Sequence, residues 1–422
     1  MTRQYKAPRG TQDILPGDQP YWDFIRDVAA RTCGLFGYER IETPVFEEAS
    51  LFTRGVGEVT DIVQKEMYVF EDRGGLELAL RPEGTAPVCR AYLEHGMHNL
   101  PQPVRLWYWT PIFRYDRPQA GRYRQHHQFG AEAMGDASPA VDAEIIELLW
   151  RFYEALGLTG LTLHLNSIGD QKCRPQYLEL LREYYRDKLS VVCDDCRARF
   201  ERNPLRLLDC KEDRCQPVIA GAPPITDHLC EDCFSHFSDL QSYLAAAGVP
   251  FTQNPRLVRG LDYYTRTVFE VQPLEEGGQS TIGGGGRYDG LMELLGGNPT
   301  PGIGFGSGIE RTILNLKRQS VQIAAPKQPQ VYISVQTADA RVPAFSLASE
   351  LRRAGIASLM GSGERSLKAQ MRAADAHRAR YAAILGAREL AEGSVTIRHL
   401  ANGTQETVAK ARVAEYVRQP PD

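Results

Sequence analysis

The spacing of apolar and polar positions changes period several times along the chain, and each change marks an element. From about Tyr21 to Phe36, Trp22, Ile25, Val28, Ala29 and Leu35 recur at helical spacing, and Gly37 closes the run. A strand toward Pro44 follows. Met67–Phe70 and Leu76–Leu80 flank Asp72-Arg73-Gly74-Gly75, a hairpin signal. A helix after Pro82 carries Ala86–Leu93. Arg105–Phe113 and His126–Met134 are β-rich runs, separated by the charged loop Arg114–Gln125. Ser138-Pro139 opens a helix over 138–156, an N-cap followed by a first-turn proline. Hairpins decorated by helices predict an α+β domain on an antiparallel sheet, not a doubly wound parallel one.

From about 170 to 255 the pattern changes to charged helices, clustered cysteines and the turn-rich Gly221-Ala222-Pro223-Pro224. This stretch reads as a helical insertion. Thr265–Val271 resumes the sheet, and the glycine run 283–286 follows it. Those glycines fit a bulge or turn as well as a close backbone approach to a ligand. A polar linker, Ala324–Gln330, leads to alternating strands (Val331–Val335, Ile356–Met360, Arg380–Leu385) and helices (Val342–Ala354, Ser366–Ala376), a small α/β domain. The expected division is therefore 1–325, with the insertion inside it, and 331–422.

Composition narrows the function. The net charge of -4 excludes a non-specific nucleic-acid coat, so any RNA contact must come from local basic patches. No apolar run of about 18 residues is present, and the N-terminus has no apolar signal core, so the expected location is the cytoplasm. Of nine cysteines, six lie between Cys193 and Cys233. Cys193-x-x-Cys196 and Cys230-x-x-Cys233 have zinc-ribbon-like spacing, with Cys210 and Cys215 between them. These four end cysteines are candidate zinc ligands; the alternative is a set of reduced, half-buried thiols.

No GxxxxGK[ST] occurs, and Gly302–Gly308 lacks GxGxxG spacing, so neither a P-loop nor a dinucleotide fingerprint is present. A nucleotide would have to be held by arginines, whose planar fork binds phosphate bidentately. Arg81, Arg114, Arg122, Arg124, Arg259 and Arg311 are the candidates. Several of them sit in apolar strand context rather than on a polar face.

Five stretches carry a resemblance. Phe113-Arg114-Tyr115-Asp116, then Arg122-Tyr123-Arg124-Gln125-His126 and Glu132, resemble the second signature of class II aminoacyl-tRNA synthetases. Gly304-Phe305-Gly306-Ser307-Gly308-Ile309-Glu310-Arg311 resembles the third, and Gly37–Pro44 the first, which forms the dimer interface. Leu257-Val258-Arg259-Gly260-Leu261-Asp262-Tyr263-Tyr264 and Gly284–Gly290 look like stretches specific to the histidyl-tRNA synthetase family. The resemblance runs the length of the chain in order. It implies an antiparallel-sheet catalytic domain with a helical insertion, followed by an anticodon-binding domain.

The implied activity is ATP-dependent attachment of L-histidine to tRNA(His) through a histidyl-adenylate, by a homodimer. By resemblance Arg114 holds the α-phosphate and carboxylate, Arg311 lies along the ATP, and Arg122 meets the distal phosphates. Arg259 supplies charge at the α-phosphate, and Mg²⁺ bridges the other phosphates. Glu83, Thr85 and Gln128 are expected at the histidine ammonium, Glu132 and Tyr264 at the imidazole, and Tyr263 in the pocket lining. Strand alternation independently puts Gln128, Gly130 and Glu132 on one face. Glu83 also suits a helix N-terminus. Arg117 and Gln119 are candidates for the tRNA acceptor end. Arg365, Lys368, Arg372, Arg378 and Arg380 give the last domain a basic stretch.

One position departs from the pattern. His126 stands where the class carries a phenylalanine that stacks on adenine. Alternation points it into the site and His127 away, and a protonated fraction would add a cation–π component; the alternative is that His126 hydrogen-bonds a backbone group and another residue covers the base. The competing reading is a non-catalytic, synthetase-like regulatory subunit of histidine biosynthesis. Such paralogues lack the last domain and carry degraded motifs; this chain has residues 331–422 and all of Arg114, Arg259 and Arg311. A class II synthetase for another amino acid is disfavoured by Leu257–Tyr264.

Overall fold

The computed structural model describes residues 5–57, 60, 62–119, 121–274, 281–324, 328–361 and 365–418. The chain divides into two compact units, 1–324 and 325–422. Part of the expected linker, 325–327, lies outside the described residues.

The strands of the first unit are β1 (Glu39–Arg40), β2 (Phe46–Glu48), β3 (Tyr68–Glu71), β4 (Glu77–Leu80), β5 (Val104–Phe113), β6 (Gln125–Met134), β7 (Leu161–Ser167), β8 (Thr252–Gln253), β9 (Thr265–Pro273), β10 (Gly283–Arg287) and β11 (Gly302–Gly308). Eight of them form one sheet in the order β1-β5-β6-β11-β10-β9-β7-β8. Its interior pairs are antiparallel, and only the edge pairs β1–β5 and β7–β8 are parallel. The antiparallel expectation holds for β5 and β6 because the connection 114–124 between them is too short for a crossover helix of the βαβ kind. A small sheet β2-β4-β3 stands apart. In its β3–β4 hairpin Asp72 Oδ1 accepts the N–H groups of Gly74 (2.7 Å) and Leu76 (2.9 Å), and Gly75 takes φ +83°.

One face of the main sheet is apolar and carries the core. Phe129, Ala131, Ala133, Ile303, Phe305, Phe269 and Val271 pack against the helices Gln19–Leu35 and Pro139–Ala155. Ser138 caps the second helix, accepting from the Ala140 N–H at 3.2 Å. Trp22, Ile25, Val28 and Ala29 are buried as their spacing predicts, but Leu35 is 85% exposed. It occupies the last helical residue, where the chain turns away at Gly37 (φ +75°) and the core no longer lies beneath it.

The stretch 170–255 has two parts. Arg174–Arg186, Asp194–Arg202 and Gln216–Ala220 are helices whose apolar side chains pack in one cluster with Tyr108, Tyr264, Val268 and Tyr288 of the sheet face. The helix Glu231–Ala246 differs: Phe237, Leu240 and Leu244 belong to the main core. Two charged groups buried there are paired. Arg287 and Asp142, both 0% exposed, form an ion pair, and Asp142 also accepts from Thr267 Oγ1 at 2.6 Å and contacts His236 Nε2 at 2.8 Å.

In the second unit β12 (Val331–Val335), β13 (Ser358–Met360), β14 (Tyr381–Leu385), β15 (Ser394–His399) and β16 (Gln405–Ala409) order as β13-β12-β14-β15-β16. The first three are parallel, with the helices Arg341–Arg353 and Leu367–Ala376 between them in sequence. Lys368 and Arg372 fall one turn apart on the second helix and are exposed, as are Arg365 and Arg378. Arg380 is half-buried over the Tyr381 ring (5.3 Å to its centroid).

Candidate active site

The face of the main sheet opposite the core is where the polar candidates collect. Directly paired residues share a face, so Gln128, Gly130 and Glu132 on β6 lie beside Gly308, Gly306 and Gly304 on β11. Gly306 and Gly304 pair in turn with Gly284 and Gly286 on β10, and Gly284 with Glu270 on β9. Five glycines therefore pave two adjacent strands, and side chains from the rim lie across them. A Cβ on Gly304 would stand 1.7 Å from Glu132 Oε2, one on Gly284 3.1 Å from Arg259, and one on Gly286 2.9 Å from Tyr264. The glycine run thus combines both sequence readings. It is a strand with close approach above it, and its register slips between Gly286 and Arg287.

One end of this face opens into a pocket of about 400 Å³. Its cations are Arg114, Arg122, Arg259, Arg311 and Lys211, and its carboxylates are Asp116, Asp209, Glu270 and Glu310. Arg122 pairs with Asp116, Arg259 with Glu270, and Lys211 with Asp209 (3.2 Å). Arg114 and Arg311 are held by backbone instead. Arg114 Nε donates to Pro82 O at 2.7 Å; Arg311 donates to Gly121 O at 2.9 Å and Thr281 O at 2.7 Å. Burial, then repulsion from Arg122 and Arg114, pulls the Arg311 guanidinium below its ordinary pKa. A cluster of cations that repel one another is built to receive a polyanion.

The other end of the face is sealed. Glu132, 0% exposed, accepts from Thr85 Oγ1 (2.8 Å), Tyr108 OH (3.1 Å) and Tyr288 OH (2.7 Å). Burial still pushes its carboxyl up to about 8. Glu83 accepts the N–H groups of Thr85 and Ala86, both at 2.7 Å, at the start of the helix Thr85–Glu94. The helix-terminus role is therefore real, and burial raises this carboxyl as well. Tyr263 and Tyr264 are buried with ring centroids 4.7 Å apart, and Tyr263 lies 5.9 Å from Tyr288. The space left by Gly130 is filled by the Tyr108 ring, which a Cβ at Gly130 would meet at 2.2 Å.

Of the sequence candidates, Arg114, Arg122, His126, Gln128, Arg259 and Arg311 share the pocket, while Glu83, Thr85, Glu132, Tyr263 and Tyr264 form the sealed end. Arg117 and Gln119 are exposed on the loop, where Gln119 and Arg122 exchange backbone hydrogen bonds of 3.1 and 2.9 Å. Ala120 lies outside the described residues.

Several expectations need correction. Arg81 is not a phosphate ligand: it is 2% exposed, and its guanidinium donates to Thr43 O, Pro44 O and Pro111 O at 2.8–3.0 Å. Arg124 lies 3.7 Å over the Tyr115 ring. His126 faces the pocket, but burial and then Arg114 push its pKa down to about 3, so its ring is neutral and the cation–π component falls away. His127 turns to Glu310, Nδ1 to Oε1 3.0 Å. The four expected zinc ligands do not meet: Cys193 and Cys196 join Cys210 and Cys215, while Cys230 and Cys233 join Asp170 and Cys173. Sequence reasoning overlooked Glu270, Asp209, Lys211, Tyr108 and Tyr288. Glu270, a lone charge between Phe269 and Val271 in a central strand, carried a legible signal; Asp209 and Lys211 arrive from the insertion and carried none.

An antiparallel sheet whose open face presents arginines over a glycine floor has the build of a class II aminoacyl-tRNA synthetase catalytic domain. The histidyl-tRNA synthetase family model matches residues 10–169 and 219–312, and an anticodon binding domain model matches 330–420. The chain is 56% identical over 404 residues to a histidine–tRNA ligase of Dehalococcoides mccartyi, covering 96% of this chain and 97% of that one. It is 51% identical over 414 residues to that of Moorella thermoacetica, covering 98% and 97%. The crystal structure of the apo Staphylococcus aureus histidyl-tRNA synthetase superposes with a TM-score of 0.83 at 37% identity, covering 99% of this chain and 100% of that one. This chain belongs to the histidyl-tRNA synthetase family.

Proposed function

We propose that the chain activates L-histidine with ATP and transfers it to tRNA(His). The observation that carries this reading is the single sheet face that runs from the Arg114–Arg122–Arg311 cluster, past Gln128, to Glu132. A triphosphate and an amino acid laid along it would meet near Gln128. The histidine carboxylate attacks the α-phosphate in line, an oxygen–phosphorus bond forms, and pyrophosphate leaves. ATP enters as its Mg²⁺ complex. Arg114 and Arg259 neutralise charge growing at the α-phosphate, and Arg122 and Arg311 hold the outer phosphates and the nucleotide. His126 offers a neutral ring to adenine. Gln128, Glu83 and Thr85 serve the ammonium end, with Glu132, Tyr263 and Tyr264 around the imidazole. In the second step the terminal tRNA hydroxyl attacks the adenylate carbonyl and AMP leaves. Arg117 and Gln119 stand exposed at the rim for the acceptor end, and the basic face of the second unit for the anticodon.

A dimer through the first class II motif is part of this reading. Its support is the exposed edge strand β1 and the exposed apolar Val45, Phe46, Val69, Phe70 and Leu76, with Phe46 and Phe70 rings 6.3 Å apart. A role in translation supports a cytoplasmic location. Amino-acid-dependent ATP–pyrophosphate exchange tests the function: histidine alone among the twenty should support it. No exchange with any amino acid would leave the regulatory reading, and exchange with another would leave the rival synthetase. A protein ending at Ala324 should retain exchange and lose most tRNA charging; undiminished charging would remove the second unit from tRNA binding.

A further inference from the structure

All nine cysteines are free thiols, and seven of them converge on two points. At the first, Cys193, Cys196, Cys210 and Cys215 are all buried with sulfurs within 4.8 Å of one another. Cys193 and Cys210 lie 3.7 Å apart, and Cys196 and Cys215 3.9 Å. Four thiolates around zinc at ~2.3 Å have a tetrahedral edge of ~3.8 Å. A disulfide would need ~2.05 Å. Backbone N–H groups point at the same sulfurs: Cys196 N to Cys193 Sγ at 3.4 Å and Cys193 N to Cys215 Sγ at 3.2 Å. Such bonds orient and stabilise thiolate ligands.

At the second point Asp170, Cys173, Cys230 and Cys233 meet within the same limit. Asp170 Oδ1 is 3.7 Å from the Cys173 sulfur and 3.9 Å from that of Cys230. The carboxylate is fixed from outside by the Lys172 N–H (2.9 Å) and by Arg266 (3.1 Å). Both CxxC pairs take the same local form: Cys193 precedes the helix Asp194–Arg202, and Cys230 precedes Glu231–Ala246. Helix N-termini favour thiolate. The family match skips 170–218, so it contains neither the first ligand set nor Asp170 and Cys173.

Each cluster abuts a wall of the reaction site. Cys210 lies between Asp209 and Lys211, which line the polar pocket. Asp170 holds Arg266, and Arg174, next to Cys173, donates to the carbonyls of Tyr264 and Gly169 at 2.8 Å each. We propose that the chain binds two zinc ions, one held by the four thiolates of Cys193, Cys196, Cys210 and Cys215, and one held by the Asp170 carboxylate with the thiolates of Cys173, Cys230 and Cys233. The first fixes the nucleotide-side wall and the second the tyrosine-side wall. Zinc fits both donor sets, since it accepts sulfur and carboxylate oxygen in one tetrahedral shell. A segment of short helices gains most from such staples.

The test is metal analysis of the full chain purified without chelator, alongside Cys210→Ala, Cys230→Ala and the double variant. Two zinc ions per wild-type chain, one in each single variant and none in the double are expected. Native mass spectrometry of the wild type gives the count without relying on any variant folding. Less than half a zinc per chain with all nine thiols titratable, a single zinc, or iron in place of zinc would each overturn the assignment. The assignment of walls rests on the synthetase reading and has its own readout. Cys210→Ala should raise ATP KM several-fold and Cys230→Ala histidine KM; equal effects on both substrates would sink it. The metal count needs no activity, so failure of one reading leaves the other measurable.

Discussion

The two ends of the β6–β11 face are built from opposite physics. The pocket end is open and crowded with charge: three arginines face one another, two of them held by carbonyl oxygens. The Glu132 end is sealed, its carboxyl surrounded by three hydroxyl donors and raised to about 8. An open, self-repelling cation cluster gains from any polyanion and so selects little beyond charge. A buried, fully hydrogen-bonded carboxyl rejects any ligand that cannot replace its donors, because stranding it is costly. Binding strength and specificity are thereby assigned to different ends of one strand.

Arg259 gives the sharpest way to break this division. It lies over Gly284 and pairs with Glu270 at the boundary of the two ends. Arg259→Ala should lower kcat for adenylation by at least ~10²-fold, the scale of losing one transition-state donor, with smaller changes in either KM. Because Glu270 loses its ion pair and keeps only hydrogen bonds from Gln272 and Thr281, Arg259→Ala/Glu270→Gln serves as the folding control and should be as slow. Near wild-type exchange in both would remove Arg259 from the chemistry.

Glu132→Gln acts on the sealed end. Replacing the carboxyl that meets the imidazole should raise histidine KM by ~10-fold and leave ATP KM unaltered. Stability should move the other way. A carboxyl whose folded pKa lies near 8 stabilises the fold below the unfolded value of ~4.3. That contribution is lost as pH rises toward 8. The glutamine variant should therefore melt higher than the wild type at pH 8 and gain little at pH 5. Parallel melting curves across that range, followed by calorimetry, would show that Glu132 titrates normally.

Periodicity made most of the fold legible. The helix over Trp22–Ala29, the Asp72–Gly75 hairpin, the Ser138 cap and the alternation after Val331 all follow from local spacing and turn chemistry. The arginines were legible only through their motif, since Arg81 and Arg114 read alike until the sheet shows one spending its guanidinium on backbone carbonyls and the other lining the pocket. Cysteine spacing suggested metal but not its grouping. Two CxxC pairs look like partners along the chain, whereas the fold gives each a different second half: Cys210 and Cys215 for one, Asp170 and Cys173 for the other. Tyr108 and Tyr288 were invisible because their part in the site is a hydroxyl aimed at Glu132 from elsewhere in the chain.

The mildest test concerns His126, where phenylalanine would be expected by resemblance. Its place opposite Ile112, on the face shared with Gln128, puts the ring into the pocket wall. With a pKa of about 3 the imidazole carries no charge at working pH, so only its flat π-face remains to meet adenine. Stacking on an aromatic is worth ~1–3 kcal/mol per base, and the smaller ring belongs at the low end. His126→Ala should raise ATP KM several-fold at saturating histidine and leave histidine KM nearly unchanged. His126→Phe should hold ATP KM at or below the wild-type value. Because the ring is neutral, the ratio of wild-type to His126→Phe KM should stay flat from pH 6 to pH 9. A ratio that fell steadily toward acid would mean that the imidazole gains a proton when ATP arrives. An unchanged KM in the alanine variant would mean that another side chain carries the base.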